Sequence, residues 1–573
     1  MGRGSMPRIQ PLHRAKDGRY SVVVVSFDES GQVSEICHCH NEGTTVHTCW
    51  RNWIAWLGGI AAARADLRTV YAHNGGSVDW LSLVEELLRE RVPGVAWTAI
   101  PRDGSIIIVS ILFGDTKCNL LDSSLMLGRC DLPALMGAVA GQMPEGPQEE
   151  ATAMLAVVQR AEVACNSIAP IGALGATIST TALRIFRRMM GQKRMDGIAG
   201  PTCQELRARL RMSYKGGRTI LRRPGYHPHV WVYDVNSMYP SVMRTEPVPM
   251  SGRFMRTRDP GKLVGIASVD WLTPTDTVPM FCDAGHGCYG RPEPAIQCTP
   301  EISDARRRWG WGAVGSHWSD VCLDSGILFK DYVDAVYQMR TESTCPVGRQ
   351  IAKGLLVGLF GKFAERPERS MVMAAEPARV LECMQRVSRG LPADVYLWPD
   401  NPDLMVVEQT VQAEHEHVAI SATITSAARV QFFKWLDLAE RLGGLVYGDT
   451  DSIHTTVPLP AEHVGDGIGM LKVEVADCEG VYLAPKVYAL REDDGSEKVI
   501  FKGLPVGKSI GGPITFSKLQ EVWDSDNEWF NFEYQSSATA DDVFSRKERT
   551  GRPVRRRRGL HIPRAKKDQE HED

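Results

Sequence analysis

Residues 445–457 read Leu-Val-Tyr-Gly-Asp-Thr-Asp-Ser-Ile-His-Thr-Thr-Val, and no other stretch limits the fold as tightly. Apolar and β-branched runs on both sides of Gly448-Asp449-Thr450-Asp451 predict a hairpin with two carboxylates at its tip. On near-extended backbone Asp449 and Asp451 point to the same side, where like charges repel unless a cation lies between them. A lone Asp beside a Gly most often caps a turn. A further carboxylate far upstream shifts the balance towards a metal. It is Asp234, in Trp231-Val-Tyr-Asp-Val-Asn-Ser-Met-Tyr-Pro240, which ends another apolar strand and is followed by turn residues. Hard cations such as Mg²⁺ are held by a few carboxylates plus substrate phosphates. Two of them about 3.5–4 Å apart clamp the attacking and leaving oxygens of a phosphoryl transfer.

The 573 residues, 43% hydrophobic and 24% charged, have room for several domains and exclude a disordered or fibrous chain. A net charge of −3 gives no global attraction for nucleic acid, so any contact with it must come from local basic patches. No run of about 18 apolar residues occurs and the Met-Gly-Arg-Gly-Ser-Met start lacks a hydrophobic signal core, so a soluble cytoplasmic protein without a membrane partner is expected. Fourteen scattered cysteines suit a reducing compartment. Cys37-His38-Cys39-His40 with His47 and Cys49, and Cys282, His286, Cys288 and Cys298, have the residue types of zinc sites but no familiar paired spacing. Reduced cysteines in strands and loops are the expectation for both.

In chain order, 20–27 reads as a strand with 32–39 as its hairpin partner, and 50–63 as a helix. A short strand at 67–71 leads into Ala72-His-Asn-Gly-Gly-Ser-Val-Asp-Trp80, which suggests an α/β layer. Residues 166–200 are a helix-prone connector. In Tyr214-Lys-Gly-Gly217 two glycines let backbone approach a phosphate while Lys215 and Arg218 supply charge, although a plain turn explains the run about as well. Residues 337–361 are helical in pattern, interrupted near Pro346, with Arg349 and Lys353 four apart on one face, a poor arrangement unless an anion lies opposite. The stretches 255–330 and 365–417 lack clean periodicity. Between Arg546 and Lys567 eleven Lys or Arg meet one acid, Glu548; such blocks are solvated tails or phosphate binders without sequence preference.

Tyr447-Gly-Asp-Thr-Asp-Ser452 resembles the third palm motif of family B DNA polymerases, and Asp234-Val-Asn-Ser-Met-Tyr-Pro240 resembles the first. Together they are specific, and weaker likenesses follow in the family's order, so the chain is similar to the compact protein-primed members found in phages and linear plasmids. The resemblance implies a multidomain α/β and α+β protein: a ribonuclease H-like exonuclease domain, then a right-hand polymerase with palm, fingers and thumb. The expected division is 1–200 exonuclease-like; 201–254 linker and first palm segment; 255–335 palm with a first insertion contacting a terminal protein; 336–372 fingers. There follow 373–418 as a second insertion encircling DNA, 419–475 as palm with the catalytic hairpin, 476–540 as thumb and 541–573 as a disordered basic tail.

It also implies roles. Asp234, Asp449 and Asp451 hold two Mg²⁺ ions, with Mn²⁺ able to substitute. Tyr239 is a steric gate under the incoming sugar. Lys353-Gly-Leu-Leu-Val-Gly-Leu-Phe-Gly361 resembles the fingers motif Lys-x-x-x-Asn-Ser-x-Tyr-Gly, so Lys353, assisted by Arg349 and with Phe360 in the Tyr position, binds the triphosphate; Val357, Gly358 and Phe360 depart from the motif. Tyr214, Gly216 and Gly217 match a Tyr-x-Gly-Gly linker that holds template. Thr425 and Arg429 match a template motif, Lys486 and Tyr488 a primer-terminus Lys-x-Tyr, and Lys502 a thumb contact to duplex. Asn74 and Asp79 resemble the second exonuclease motif and 121–125 its single-strand-binding segment. The first motif's Asp-x-Glu is missing from residues 1–27, and Gln159 or Arg160 stands where the third motif's Asp would be, with Glu162 out of register. The expectation is thus a template-dependent DNA polymerase that uses deoxynucleoside triphosphates and template and primer DNA, with proofreading lost. It would be primed by a terminal protein and work in the cytoplasm of the host cell. The alternatives are a catalytically idle DNA-binding scaffold and a primer-independent polymerase.

Overall fold

The computed structural model describes residues 20–128, 130–195, 198, 200–271, 295–310, 314–410, 415–510, 512–525, 527–550 and 552–562. The β-branched run after Tyr20 favours pleated backbone and forms Ser21–Phe27, with Val33–His40 antiparallel beside it, Val22 opposite Cys39. Thr69–Ala72 lies parallel to Ser21–Phe27 on one side and to Thr116–Asp122 on the other. Side-chain alternation splits the core of this sheet. Val23 packs with helices Trp50–Ile60 and Asp79–Glu90 on one face, and Val22 with Pro147–Ile168 on the other.

The same alternation settles one cysteine cluster. Cys37 and Cys39 join the core on the Pro147–Ile168 side, whereas His38 and His40 turn the other way, where Trp53 Nε1 donates to His38 Nδ1 at 3.0 Å. Cys282, His286 and Cys288 lie outside the described residues. Among the described residues no three His, Cys, Asp or Glu side chains converge as cation ligands.

Two expected boundaries are corrected. Glu368–Ala374 pairs with Val95–Arg102, Val372 opposite Ala99, and brings the strands Ala393–Trp398 and Asn401–Thr410 with it. The second insertion therefore extends the N-terminal sheet to ten strands, because it covers the unpaired backbone groups of an otherwise exposed edge. In the basic tail, Val554–His561 is a strand paired along its length with Trp529–Ser536. Arg555 and Arg557 meet Glu533 on that partner strand and Arg556 meets Asp542, while Val554 and Leu560 are buried. Facing acids and two apolar anchors turn a cationic run into thumb structure; residues 563–573 lie outside the described ones.

The palm is a seven-stranded sheet in the order Glu497–Phe501, Val487–Arg491, Leu471–Ala484, Gly225–Val235, Ser452–Thr455, Leu445–Asp449, Thr219–Leu221. One face, with Tyr233, Val235, Leu445 and Ile453, is buried together with Ile424, Phe432 and Leu436 of the long helix Val418–Arg441. The first insertion is a four-stranded sheet with Phe254–Thr257 and Ala295–Cys298 at its edges. The fingers helices are Lys330–Glu342 and Pro346–Lys362, beginning a few residues earlier than expected. No helix among the described residues is long and apolar enough to cross a membrane.

Candidate active site

Asp234 is the penultimate residue of Gly225–Val235, and Asp449 and Asp451 flank Thr450 at the hairpin tip. Thr450 adopts a left-handed backbone, φ 63°, which closes the turn tightly. Asp234 then stands opposite Ser452, Ser452 opposite Asp449, and Lys472 opposite Asp234 on its other side. Val235 N–H donates to the Asp451 carbonyl at 2.8 Å. Residues paired across strands share a face, so these groups lie on the side of the sheet away from Val418–Arg441.

Two of the three expected acids face each other. Burial, then the Asp451 carboxylate and Glu474, push the Asp234 carboxyl up to about 7. Burial and then Asp449 raise that of Asp451. Neither carboxylate has a side-chain hydrogen bond or ion pair with another described residue. Asp449 turns elsewhere. Lys486 Nζ donates to both its oxygens, at 2.6 Å to Oδ1, Thr219 Oγ1 donates to Oδ1 at 2.9 Å, and the Tyr447 hydroxyl to Oδ2 at 3.2 Å. Asp449 is thus held by Lys486 while it still acts on the Asp451 carboxyl. Beneath them Tyr447, His454, Tyr482 and Tyr488 form an aromatic floor, with Tyr482 and Tyr488 stacked at 5.5 Å. Burial lowers His454 to about 3, so this floor carries no charge near neutrality. Tyr488 is 8% exposed and packs here, and Lys502 is exposed in the turn after Glu497–Phe501 with its N–H on the Lys486 carbonyl at 2.8 Å.

The linker run packs directly on the tip. Thr450 N–H donates to the Arg218 carbonyl at 2.6 Å, and a Cβ on Gly217 would fall 2.6 Å from Thr450 Oγ1, so only glycine fits. Arg429 donates to both carboxylate oxygens of Glu301, at 2.8 and 2.6 Å, and to the carbonyls of Lys215 and Gly216 at 2.7 and 3.0 Å. Thr425, 3% exposed, donates to the Ala422 carbonyl at 3.1 Å. Both were expected to touch template; the structure instead sets them inside, Arg429 bracing the Tyr214–Gly217 linker from below.

On Pro346–Lys362, Arg349 and Lys353 are exposed, and Phe360, two turns beyond Lys353, shares its face. Phe360 stacks on Tyr239 with ring centres 4.9 Å apart and planes 11° from parallel, so this face of the fingers looks onto the first palm motif. Arg340, on the neighbouring helix, donates to Ser237 Oγ at 2.7 Å. It belongs to the site although it lies in no motif. Lys498, exposed on Glu497–Phe501, also acts electrostatically on Asp234. Its alternation with buried Phe501 was the only sequence signal.

In the N-terminal domain, Asp79 opens Asp79–Glu90 and is pushed up to about 7 by burial and then by Asp122. Asp122 accepts from Ser124 N–H at 2.8 Å and Gly76 N–H at 3.1 Å. It lay within the 121–125 segment but was not singled out. Asn74 holds a left-handed turn, φ 56°, its carbonyl accepting from Ser77 N–H at 2.9 Å. Glu162 interacts with Tyr20.

Residues 174–263 match the family model for DNA polymerase type B, organellar and viral. Among curated proteins the chain is similar to a probable DNA polymerase of Ascobolus immersus, 25% identical over 367 residues, 61% of this chain and 29% of that protein. It is also similar to the DNA-directed DNA polymerase of Enterobacteria phage PRD1, 22% identical over 510 residues, 81% of this chain and 80% of that one. The chain spans under a third of the Ascobolus protein and of a second fungal relative, from Podospora anserina. The structure of phi29 DNA polymerase complexed with primer-template DNA and incoming nucleotide substrates matches with a TM-score of 0.69 at 16% identity, covering 95% of this chain and 100% of that one. The fold is thus that of an exonuclease-type domain joined to a right-hand palm, fingers and thumb. Over residues 174–263 the chain is similar to the organellar and viral type B DNA polymerases, and its fold is similar to that of phi29 DNA polymerase.

Proposed function

We propose that the chain is a DNA-directed DNA polymerase that adds deoxynucleotides to a primer end by phosphoryl transfer at Asp234 and Asp451. The observation that carries this is the pair itself: two half-buried carboxyls, Asp234 raised by burial and by Asp451, and Asp451 by burial and by Asp449, on a sheet face where Lys472, Lys498 and Lys486 act on them electrostatically. Mutually repelling carboxylates without internal donors suit a divalent cation, and Mg²⁺ takes one or two carboxylates with the remaining positions left for water and phosphate. Bound there, such ions would acidify the primer hydroxyl and neutralise charge on the leaving pyrophosphate. Asp234 and Asp451 would hold them.

The remaining roles belong to this chain's own groups. Lys353, Arg349 and Arg340 bind the triphosphate, and Tyr239 and Phe360 wall the sugar and base. Asp449 keeps Lys486 aimed at the primer terminus through a pairing that Tyr447 and Thr219 support. Lys502 meets the duplex backbone, a contact that releases counterions and so weakens with salt. In the N-terminal domain the carboxylate acting on Asp79 among the described residues is Asp122, which is already engaged by two backbone N–H groups. A two-metal exonuclease needs more ligands than that, so proofreading is absent in this proposal. Priming by the hydroxyl of a terminal protein rests on the likeness of fold and on the 254–322 insertion.

Extension of a labelled primer on a template with Mg²⁺ tests the proposal, with Asp451→Asn as control. Metal-dependent, template-directed extension is expected from the intact chain and none from the variant; no extension by the intact chain would favour the idle scaffold. Initiation on an unprimed template with and without candidate primer proteins tests the start of synthesis.

A further inference from the structure

The connector helix Ile178–Met195, broken by the Gly191 backbone, packs chiefly along the fingers helix Pro346–Lys362, with lesser contact to Ser123–Leu127 and Pro147–Ile168. Phe186, fully buried, packs on Phe329 at 5.3 Å, on Tyr332 at 6.1 Å and on Phe363 at 6.0 Å, at the base of the two fingers helices. At its other end the first turn presses on Pro346–Lys362. A Cβ on Gly354 would fall 2.8 Å from Ile178 Cγ1, and one on Gly358 would meet Ser179 at 3.2 Å to Oγ and 3.3 Å to Cα. Real side-chain carbons essentially never approach within 3.0 Å. Thr177 fixes this first turn by accepting from Thr180 N–H at 3.2 Å. Gly354 adjoins Lys353 in the chain, and Gly358 holds one of the three positions where the fingers run departs from its motif.

We propose that Ile178–Met195 is a third helix of the fingers, and that Ile178 and Ser179 are positioning residues for Lys353, seating its helix at a depth that Gly354 permits and Gly358 eases. The inference rests on the polymerase proposal above. It gives Gly358 a reason, since a Cβ there would crowd Ser179 and push the helix outward by a few tenths of an ångström. Helix propensity argues the other way: glycine inside a helix is unfavourable relative to Ala or Ser, so propensity alone predicts that replacing it strengthens the fingers.

The test is steady-state incorporation of one deoxynucleotide by the full chain, reading KM for the nucleotide separately from kcat, with primer-template affinity and melting temperature measured alongside. Gly354→Ala is expected to raise the nucleotide KM about tenfold, because small displacements of a positioning group are costly, and to leave DNA affinity unchanged. The double variant Gly354→Ala/Ile178→Ala, which removes the clashing Cγ1, is expected to recover most of that loss. Gly358→Ser, the milder change, is expected to raise KM a few-fold and to be rescued by Ser179→Gly. Unchanged KM in Gly354→Ala and Gly358→Ser, or loss without rescue in both doubles, overturns the assignment. Absence of incorporation by the unaltered chain would instead defeat the polymerase proposal, so the two failures are distinguishable.

Discussion

Two pairs of carboxyls in this molecule reach similar protonation behaviour by similar means. Asp234 beside Asp451 in the palm and Asp79 beside Asp122 in the N-terminal domain each contain a member pushed up to about 7 by burial and a like-charged neighbour. Their surroundings differ. The palm pair lies on a sheet that carries Lys472 and Lys498 on other strands and Lys486 in the turn between Leu471–Ala484 and Val487–Arg491. Among the described residues no cation is a named influence on Asp79, and Asp122 caps the short helix Ser123–Leu127. A raised carboxyl is therefore weak evidence of chemistry by itself. What separates a site from a remnant is whether the groups around it can receive a polyanion.

Substitution of the two pairs should break this comparison most sharply. Asp234→Asn or Asp451→Asn is expected to lower incorporation by about 10³-fold or more, the scale on which loss of transition-state charge stabilisation is felt. Asp79→Asn should leave it within about twofold. Equal losses in both domains would mean that the N-terminal pair shares in the chemistry.

Next in size are the cations of the palm and fingers. Lys353→Ala should raise the nucleotide KM by about 10- to 100-fold, the equivalent of one or two charge-assisted hydrogen bonds. Asp449→Asn should lower kcat by about tenfold by loosening Lys486, while leaving the Mn²⁺ concentration for half-maximal activity unchanged within about twofold. A large shift in that Mn²⁺ requirement would restore Asp449 as a metal ligand.

A pH series sharpens the same contrast. Asp79 has a folded pKa raised above its unfolded value, so its contribution to stability is complete below about pH 4 and is lost as pH rises through about 7. Asp79→Asn removes that loss. The variant should melt a few degrees above the parent at pH 8.5 and level with it at pH 4, if the chain stays folded there, and Mg²⁺ should not close the gap. A gap closed by Mg²⁺ would mean that Asp79 still helps to hold a cation.

The smallest effect is expected in the thumb strand. Arg557 is 78% exposed where it pairs with Glu533, and Arg557→Ala should change stability by no more than about 0.5 kcal/mol. A larger loss would make the arginine run a structural necessity of the thumb.

The parts of this architecture that local sequence displays are those whose geometry is local. The tip hairpin follows from apolar runs around Gly448-Asp449-Thr450-Asp451, and the strand ending at Asp234 from its alternating pattern. The pairing of Asp449 with Lys486 was not legible, because the two lie 37 residues apart and meet only when the strands assemble. Arg429 was expected to touch template, and the internal role it takes was hidden for the same reason; Glu301, which neutralises it, is 128 residues distant. The basic run 554–561 read as solvated since charge density disfavours a core, yet Glu533 and two buried apolar anchors on an antiparallel partner reverse that. The helix Ile178–Met195 showed its helicity but not its destination, which depends on Phe186 reaching three aromatic rings in the fingers.

The most direct test is templated addition of a single deoxynucleotide to a primer end, with Mg²⁺ supplied, by the intact chain and by Asp451→Asn. The intact chain should extend the primer only with the nucleotide complementary to the template, and the variant should show almost no product. Comparable extension by both proteins, or none by the intact one, would contradict the assignment of Asp234 and Asp451 as the seat of nucleotide addition.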